Sequence, residues 1–174
     1  MDWLSIRELL IDTFKLVIVV FIILFLMIYV VSVTQVVGNS MKSTLNDGDV
    51  LILSKASYRI FDVKRGDIIS LDYEDTKYLI KRVIGLPGDH ISIIDNKVYI
   101  NGRYYVEDYL KDINTPDFDL QDLGYNTVPE GMYFVLGDNR DNSLDSRKIG
   151  LVEEDDIIGE IAIRFWPITN FRLF

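Results

Sequence analysis

Hydrophobic positions fall into two unlike regimes along this chain. Residues 16–33, LVIVVFIILFLMIYVVSV, form an apolar run with no charge, proline or glycine, whereas beyond residue 38 the apolar positions come in short runs broken by Gly, Asp and Asn. The first regime predicts a helix without a polar face; its 18 residues would span about 27 Å, close to the hydrocarbon thickness of a bilayer. A core helix of a globular domain would normally show a polar stripe, which this run lacks. A cleaved signal peptide would have a shorter apolar core followed by a small-residue site, and TQVVGNS holds no alanine. The pattern therefore predicts a retained transmembrane anchor over 16–37. Arg7, Lys15 and the amino terminus precede the run and only Lys42 follows it closely, so the expected orientation has a cytoplasmic amino end and an extracytoplasmic remainder. Residues 1–15, with Trp3, Leu4, Leu9, Leu10 and Phe14 among charges, read either as an interfacial helix or as the solvated start of the anchor.

In the second regime DVLILS, DIISLDY, KYLIKRVIGL, HISIIDNKVYING, GMYFVLGD and IIGEIAIRFW read as strands, and IIDNKVYI as a hairpin closed at Asp95-Asn96. Residues 38–174 are thus expected to form one mostly β domain. Gly-Asp recurs at 48–49, 66–67, 88–89 and 137–138 near strand boundaries, which marks turns and no true repeat. The acidic, turn-rich stretch 105–130 reads as an excursion without chemistry of its own. The terminal RFWPITNFRLF allows two readings, a membrane-interface patch or a last strand packing its aromatics inward.

Composition narrows the chemistry. Of the formal net charge of -9, residues beyond 37 carry -8, which disfavours nucleic acid as a partner. Without cysteine and with one histidine, thiolate nucleophiles, disulfides and multi-histidine zinc sites are excluded. GDNRDNSLDSRKIG, residues 137–150, interleaves acids, bases and short amides; as a calcium loop counted from Asp141 it has Ser146 where Gly is needed and Val152 where Glu is needed. It reads as a polar network supporting a nearby site, or as a surface loop.

GNSMKSTLND places Ser40 on a Gly-Asn turn where the apolar run gives way to the β region. A serine nucleophile needs a base, and His90, at the start of a strand in GDHISI, has no orienting partner near it in the sequence. The remaining solution is a lysine stripped of water, since desolvation disfavours the ammonium. Lys42, Lys55, Lys64 and Lys77 sit among polar or turn residues. In YLIKRVIGLPGD the period of two puts Lys81 in a row with Leu79 and Val83, so Lys81 is either that base or a strand lysine snorkelling at an edge.

Four blocks in order, GNSMKSTL, KRGDIISL, KYLIKRVIGLPGD and GDNRDNSLDSRKIG, behind one amino-terminal anchor, resemble the bacterial type I signal peptidases in their compact Gram-positive form. The resemblance implies a membrane-anchored serine endopeptidase that removes signal peptides from exported preproteins after small residues, on a fold of coiled antiparallel sheets, barrel-like, needing neither metal nor cofactor. It implies Ser40 as nucleophile and Lys81 as general base, with Ser143 hydrogen-bonding the lysine. Asp145 and Arg147 would brace the site, Asp138 and Arg140 would belong to the same network, and Gly38, Asn39 and Met41 would shape the nucleophile loop. Two positions depart from the family pattern. Ser43 stands where proline is usual, and Gly38 where some relatives carry a serine whose hydroxyl helps hold the oxyanion, leaving the Ser40 backbone N–H. A catalytically silent relative acting as a binding or assembly factor would lack the serine or the lysine, and a self-cleaving Ser-Lys repressor would carry a DNA-binding domain in place of the anchor.

Overall fold

The computed structural model describes residues 3–56, 58, 61–74, 77–110 and 114–174; residues 1–2 of the amino-terminal segment and 111–113 of the excursion lie outside this set. Helix α1 runs unbroken over Trp3–Tyr29. Within it Ser5–Leu26 is long and apolar enough to cross a membrane, and none of its hydropathic window is buried against the rest of the protein. An isolated apolar surface of this length has nowhere to go in water, which is the physical case for a lipid environment. Residues 3–15 are continuous with the apolar stretch, and Lys15 pairs with Asp12 at 3.0 Å, partly neutralising the charged end of the helix.

The helix ends earlier than the 16–37 anchor expected from the sequence. Val31–Gln35 forms strand β1, antiparallel to β2 (Val50–Ser54), because the β-branched alternation of VSVTQ finds ladder partners from Val31↔Ser54 to Gln35↔Val50. The strands β3 (Ile68–Tyr73), β4 (Lys77–Gly85), β5 (Ile91–Ile94), β6 (Lys97–Ile100), β7 (Arg103–Tyr104) and β8 (Phe118–Asp119) follow. After β9 (Met132–Leu136) come the one-turn helix α2 (Ser146–Ile149), β10 (Val152–Glu153), β11 (Ile157–Trp166) and β12 (Arg172–Leu173). All pairings are antiparallel, in two sheets. The larger has the order β1-β2-β11-β3-β4-β9-β10, with β12 against β11; the smaller has the order β7-β6-β5-β8. The protein is mostly β behind one apolar helix, as the pattern predicted; among the described residues no pairing joins β1 to β10.

The β5–β6 hairpin closes at Asp95 and Asn96, both at positive φ, the geometry a two-residue turn of this hand requires. Three of the four Gly-Asp pairs build one device: Asp49, Asp67 and Asp89 each donate their N–H to the carbonyl of the third residue upstream and accept that residue's N–H on the carboxylate. Gly48, Gly66 and Gly88 supply the positive φ. The fourth pair, at 137–138, does something else, described below.

Three apolar clusters stabilise these sheets. One lies between the small sheet and β9, around Ile91, Val98, Leu120 and Phe134, so the excursion contributes Leu120 and Val128 to the core. A second holds Val36, Met41, Leu45, Leu51 and Ile68 beneath the β1–β2 loop, and a third gathers Ile69, Val83 and Val135. At about 1.5–3 kcal/mol for each fully buried large side chain, Met41 and Leu45 alone pin the loop that carries Ser40. At the carboxyl end Phe165, Trp166 and Phe171 are more than half exposed and Phe174 is 37% exposed, so the inward-packing reading of these aromatics does not hold. The turn at Pro167 and the pairing of β12 to β11 leave them at the surface.

Candidate active site

Ser40 lies on the loop between β1 and β2. The loop is closed at its base by Val36 N–H to the Asp49 carbonyl at 2.8 Å and Gly48 N–H to the Val36 carbonyl at 3.0 Å. Gly38, at φ +90°, donates its N–H to Asp47 Oδ1 at 2.7 Å, and Lys42 N–H returns to the Asn39 carbonyl at 3.1 Å. The Met41 side chain is anchored in the core, leaving Ser40 half-buried at the turn. Ser43 has φ +100°, a backbone conformation closed to proline, whose ring fixes φ near -65°. Proline at position 43 would not fit this loop as it is folded here.

Lys81 approaches from β4. Its side chain is 1% exposed, and Nζ donates to Ser40 Oγ at 3.0 Å and to the Ile80 carbonyl at 2.8 Å. Neither partner is an anion. Burial disfavours the ammonium more than the negative charges of Asp145 and Asp138 favour it, so the pKa falls from 10.5 to about 8. A groove of about 440 Å³ opens beside the pair, lined by Thr34–Val37 of the β1 side, Met41, Ser70 and the 77–81 stretch of β4. Residues 77–81 pair with β3 on one edge, while β9 meets β4 only from Arg82 onward, so their other edge has no strand partner among the described residues.

Behind the pair stands the 137–147 segment. Asp145 caps α2, accepting from Gly137 N–H at 3.1 Å and from Arg147 Nε at 2.9 Å. Burial raises the Asp145 pKa, and the Arg147 hydrogen bonds and charge, with the Gly137 N–H, overcome it, so the carboxyl sits below its usual range. Arg147 also donates to the Arg140 carbonyl at 2.7 Å. Gly137 has to be glycine because the chain packs too closely here: an added Cβ would run into Ser143 Oγ and lie 2.6 Å from the Ser40 carbonyl oxygen. Ser143 Oγ is buried and its hydroxyl helps to hold the Asp145 carboxyl ionised, while the expected bond from Ser143 to Lys81 is not formed in this arrangement. The Ile80 carbonyl serves the lysine in its place.

Next to Lys81, Arg82 forms a bidentate pair with Asp138, Nε to Oδ1 at 2.9 Å and a second bond at 2.6 Å, and its guanidinium lies 3.8 Å from the Tyr109 ring centre. Arg140 donates to both oxygens of Glu107, one at 2.9 Å, and Tyr109 donates its hydroxyl to the same carboxylate. The stretch 105–130 reads from sequence as an excursion without chemistry of its own, yet Glu107 and Tyr109 within it complete the ion network behind the Ser-Lys pair. Nothing local in YVEDYL signalled this, because the pairing of Glu107 with Arg140 spans 33 residues. Arg82, Asn139, Glu107 and Tyr109 are thus site residues that spacing alone did not single out. His90 bonds the Asn126 carbonyl through Nδ1 at 2.8 Å and faces Asp119, with no bond to Ser40 or Lys81. Among the described residues no cluster of three or more His, Asp or Glu is arranged to hold a metal ion.

The family model described as signal peptidase, peptidase S26, matches residues 10–166. The chain belongs to this family. Signal peptidase IB of Staphylococcus aureus (strain COL) is 35% identical over 168 residues, covering 88% of each chain. Signal peptidase I of Bacillus caldolyticus is 41% identical over 155 residues, covering 84% of this chain and 85% of its own. The crystal structure of a signal peptidase I from Enterococcus faecalis V583 superposes with a TM-score of 0.54 at 39% identity, covering 58% of this chain and 97% of that one. Ser40, Lys81 and the 137–147 network all fall inside the residues matched by the signal peptidase family.

Proposed function

We propose that the protein is a membrane-anchored serine endopeptidase that cleaves N-terminal signal peptides from exported preproteins after small residues, with Ser40 as nucleophile and Lys81 as general base. Membership of the signal peptidase family supports the activity. The observation that carries the residue assignment is the 3.0 Å contact between Ser40 Oγ and a buried lysine amine whose pKa burial lowers to about 8. In its neutral form Lys81 keeps a donor for the Ile80 carbonyl and turns its lone pair to the serine hydroxyl. It takes the proton as Oγ attacks the scissile carbonyl, then returns it to the leaving amine; water, activated by the same amine, releases the acyl group. The developing oxyanion rests on the Ser40 backbone N–H. The buried Ser143 hydroxyl orients the free amine, while Asp145 with Arg147, Asp138 with Arg82, and Arg140 with Glu107 fix the surrounding backbone.

The substrate strand lies along the open edge of residues 77–81, where backbone groups give affinity and the groove beside Ser40 selects the side chain. Helix α1 spans the bilayer with its amino end in the cytoplasm, and 38–174 forms the extracytoplasmic catalytic unit. The exposed Phe165, Trp166, Phe171 and Leu173, with Arg164 and Arg172 alongside, rest on the lipid surface. Cleavage of a preprotein by detergent-solubilised wild type, Ser40→Ala and Lys81→Ala tests the assignment. Both variants should be inactive; near wild-type turnover by either would refute the dyad.

A further inference from the structure

Gly38 offers the oxyanion no side-chain donor, and its own N–H is taken by Asp47. The N–H of Ser40 donates to no acceptor among the described residues, so a single peptide group has to do the work that two donors share elsewhere. That group is the Asn39–Ser40 peptide, and its carbonyl is held from two sides. Asn139 Nδ2 donates to the Asn39 carbonyl at 2.9 Å and Lys42 N–H donates to it at 3.1 Å. One residue on, the backbone N–H of Asn139 donates to the Ser40 carbonyl at 2.9 Å. Asn139 therefore clamps two consecutive carbonyls of the nucleophile turn across 100 residues of sequence. In a planar trans peptide the C=O and N–H point in opposite directions, so fixing the Asn39 oxygen fixes the direction of the Ser40 N–H. A hydrogen bond to the carbonyl also polarises the peptide and strengthens the donor at its other end.

We infer that Asn139 is a positioning residue of this enzyme: its side-chain amide aims and polarises the Asn39–Ser40 peptide so that one backbone N–H suffices to hold the oxyanion. The inference rests on the reading of Ser40 as the nucleophile. It explains why the close approach at Gly137 matters, since only a residue without Cβ lets the 137–139 backbone come against the Ser40 carbonyl. It also gives a chemical reason for asparagine at 139: the carbonyl acceptor demands an NH2, and an aspartate of the same shape would present an oxygen to it.

The test uses the full chain in detergent micelles, a signal-peptide-derived peptide substrate and a peptide aldehyde ending in alanine. The aldehyde adds to Ser40 Oγ, the hydroxyl proton passes to Lys81, and the new C–O bond leaves a tetrahedral oxyanion. Asn139→Ala and Asn139→Asp should lower kcat by about 10- to 100-fold, somewhat less than deleting an oxyanion donor outright, with KM within about twofold. Aldehyde affinity should fall in parallel, affinity for an uncleavable substrate analogue should hold, and the midpoint of the pH–rate profile should stay in place. A matching rise in KM, a displaced pH midpoint, or retained aldehyde affinity would overturn the inference. Should the variants fail to fold, the wild type still decides: on aldehyde binding the Ser40 amide proton should move downfield in the NMR spectrum, and an unmoved resonance is contrary to the inference. Activity surviving in Ser40→Ala would instead strike at the nucleophile assignment itself.

Discussion

Lys81 and Arg82 are neighbours on β4, both buried and both cationic by residue type, and their surroundings could hardly differ more. Arg82 meets a bidentate carboxylate in Asp138, the Gly66 carbonyl, the Thr44 hydroxyl and the Tyr109 ring. Burial opposes its charge, and the Asp138 hydrogen bonds and charge overcome that penalty, holding the guanidinium above its ordinary range. Lys81 meets a hydroxyl and a peptide carbonyl, with its nearest carboxylates, Asp145 and Asp138, occupied by arginines. Here burial wins and the charge is disfavoured. One side chain is matched and structural, the other is deprived and reactive. The same sheet carries both because the acids are engaged elsewhere: a carboxylate freed from its arginine would raise the Lys81 pKa and, on the proposed mechanism, silence it as a base.

The largest effect expected from this contrast falls on Lys81. Lys81→Ala should reduce preprotein cleavage by about a thousandfold or more, and Lys81→Arg should do no better, because a guanidinium does not deprotonate. Lys81→Met should at the same time melt higher than wild type at neutral pH. The shift from 10.5 to about 8 corresponds to roughly 3 kcal/mol of disfavoured charge in the folded protein. Between pH 8 and 10.5 the unfolded chain binds more protons than the folded one, so wild-type stability rises with pH there and the advantage of Lys81→Met disappears. Thermal unfolding of the two proteins across that window checks the sign.

Next in size is the matched side of the comparison. Asp138→Asn strips Arg82 of its anion and should destabilise the protein by about 3–5 kcal/mol, measured by denaturant unfolding. Because Asp138 also favours the Lys81 ammonium, the surviving activity should show its pH midpoint moved downward. Glu107→Gln should have a smaller effect, about 1–3 kcal/mol, through the weakened pair with Arg140. Smallest is Ser43→Gly, which relieves the positive φ and should stabilise by about 0.5–1 kcal/mol, whereas Ser43→Pro should destabilise.

What was legible in the sequence was whatever depends on local pattern. The apolar run gave α1, the two-residue turn gave the β5–β6 hairpin, and the apolar setting of YLIKRVIG marked Lys81 among the lysines. The boundary at residue 30 was harder, because Val30, Val31 and Val33 carry the uncharged run past the end of the helix, and the pairing of Val31–Gln35 with β2 is what turns that stretch into a strand. Glu107, Tyr109 and Asn139 were illegible for a different reason. Each acts on a partner tens of residues away, and an asparagine or a glutamate in a polar turn looks the same whether it faces water or clamps the Ser40 loop.

The central claim is that Lys81 is a desolvated amine poised beside Ser40. Its most direct test is an NMR titration of the protein in micelles with labelled lysine side chains, the Lys81 resonance being the one absent from Lys81→Arg. The account predicts a midpoint near pH 8, coinciding with the rise of kcat/KM. A Lys81 midpoint at the ordinary lysine value, or an activity profile flat across that pH, would contradict it.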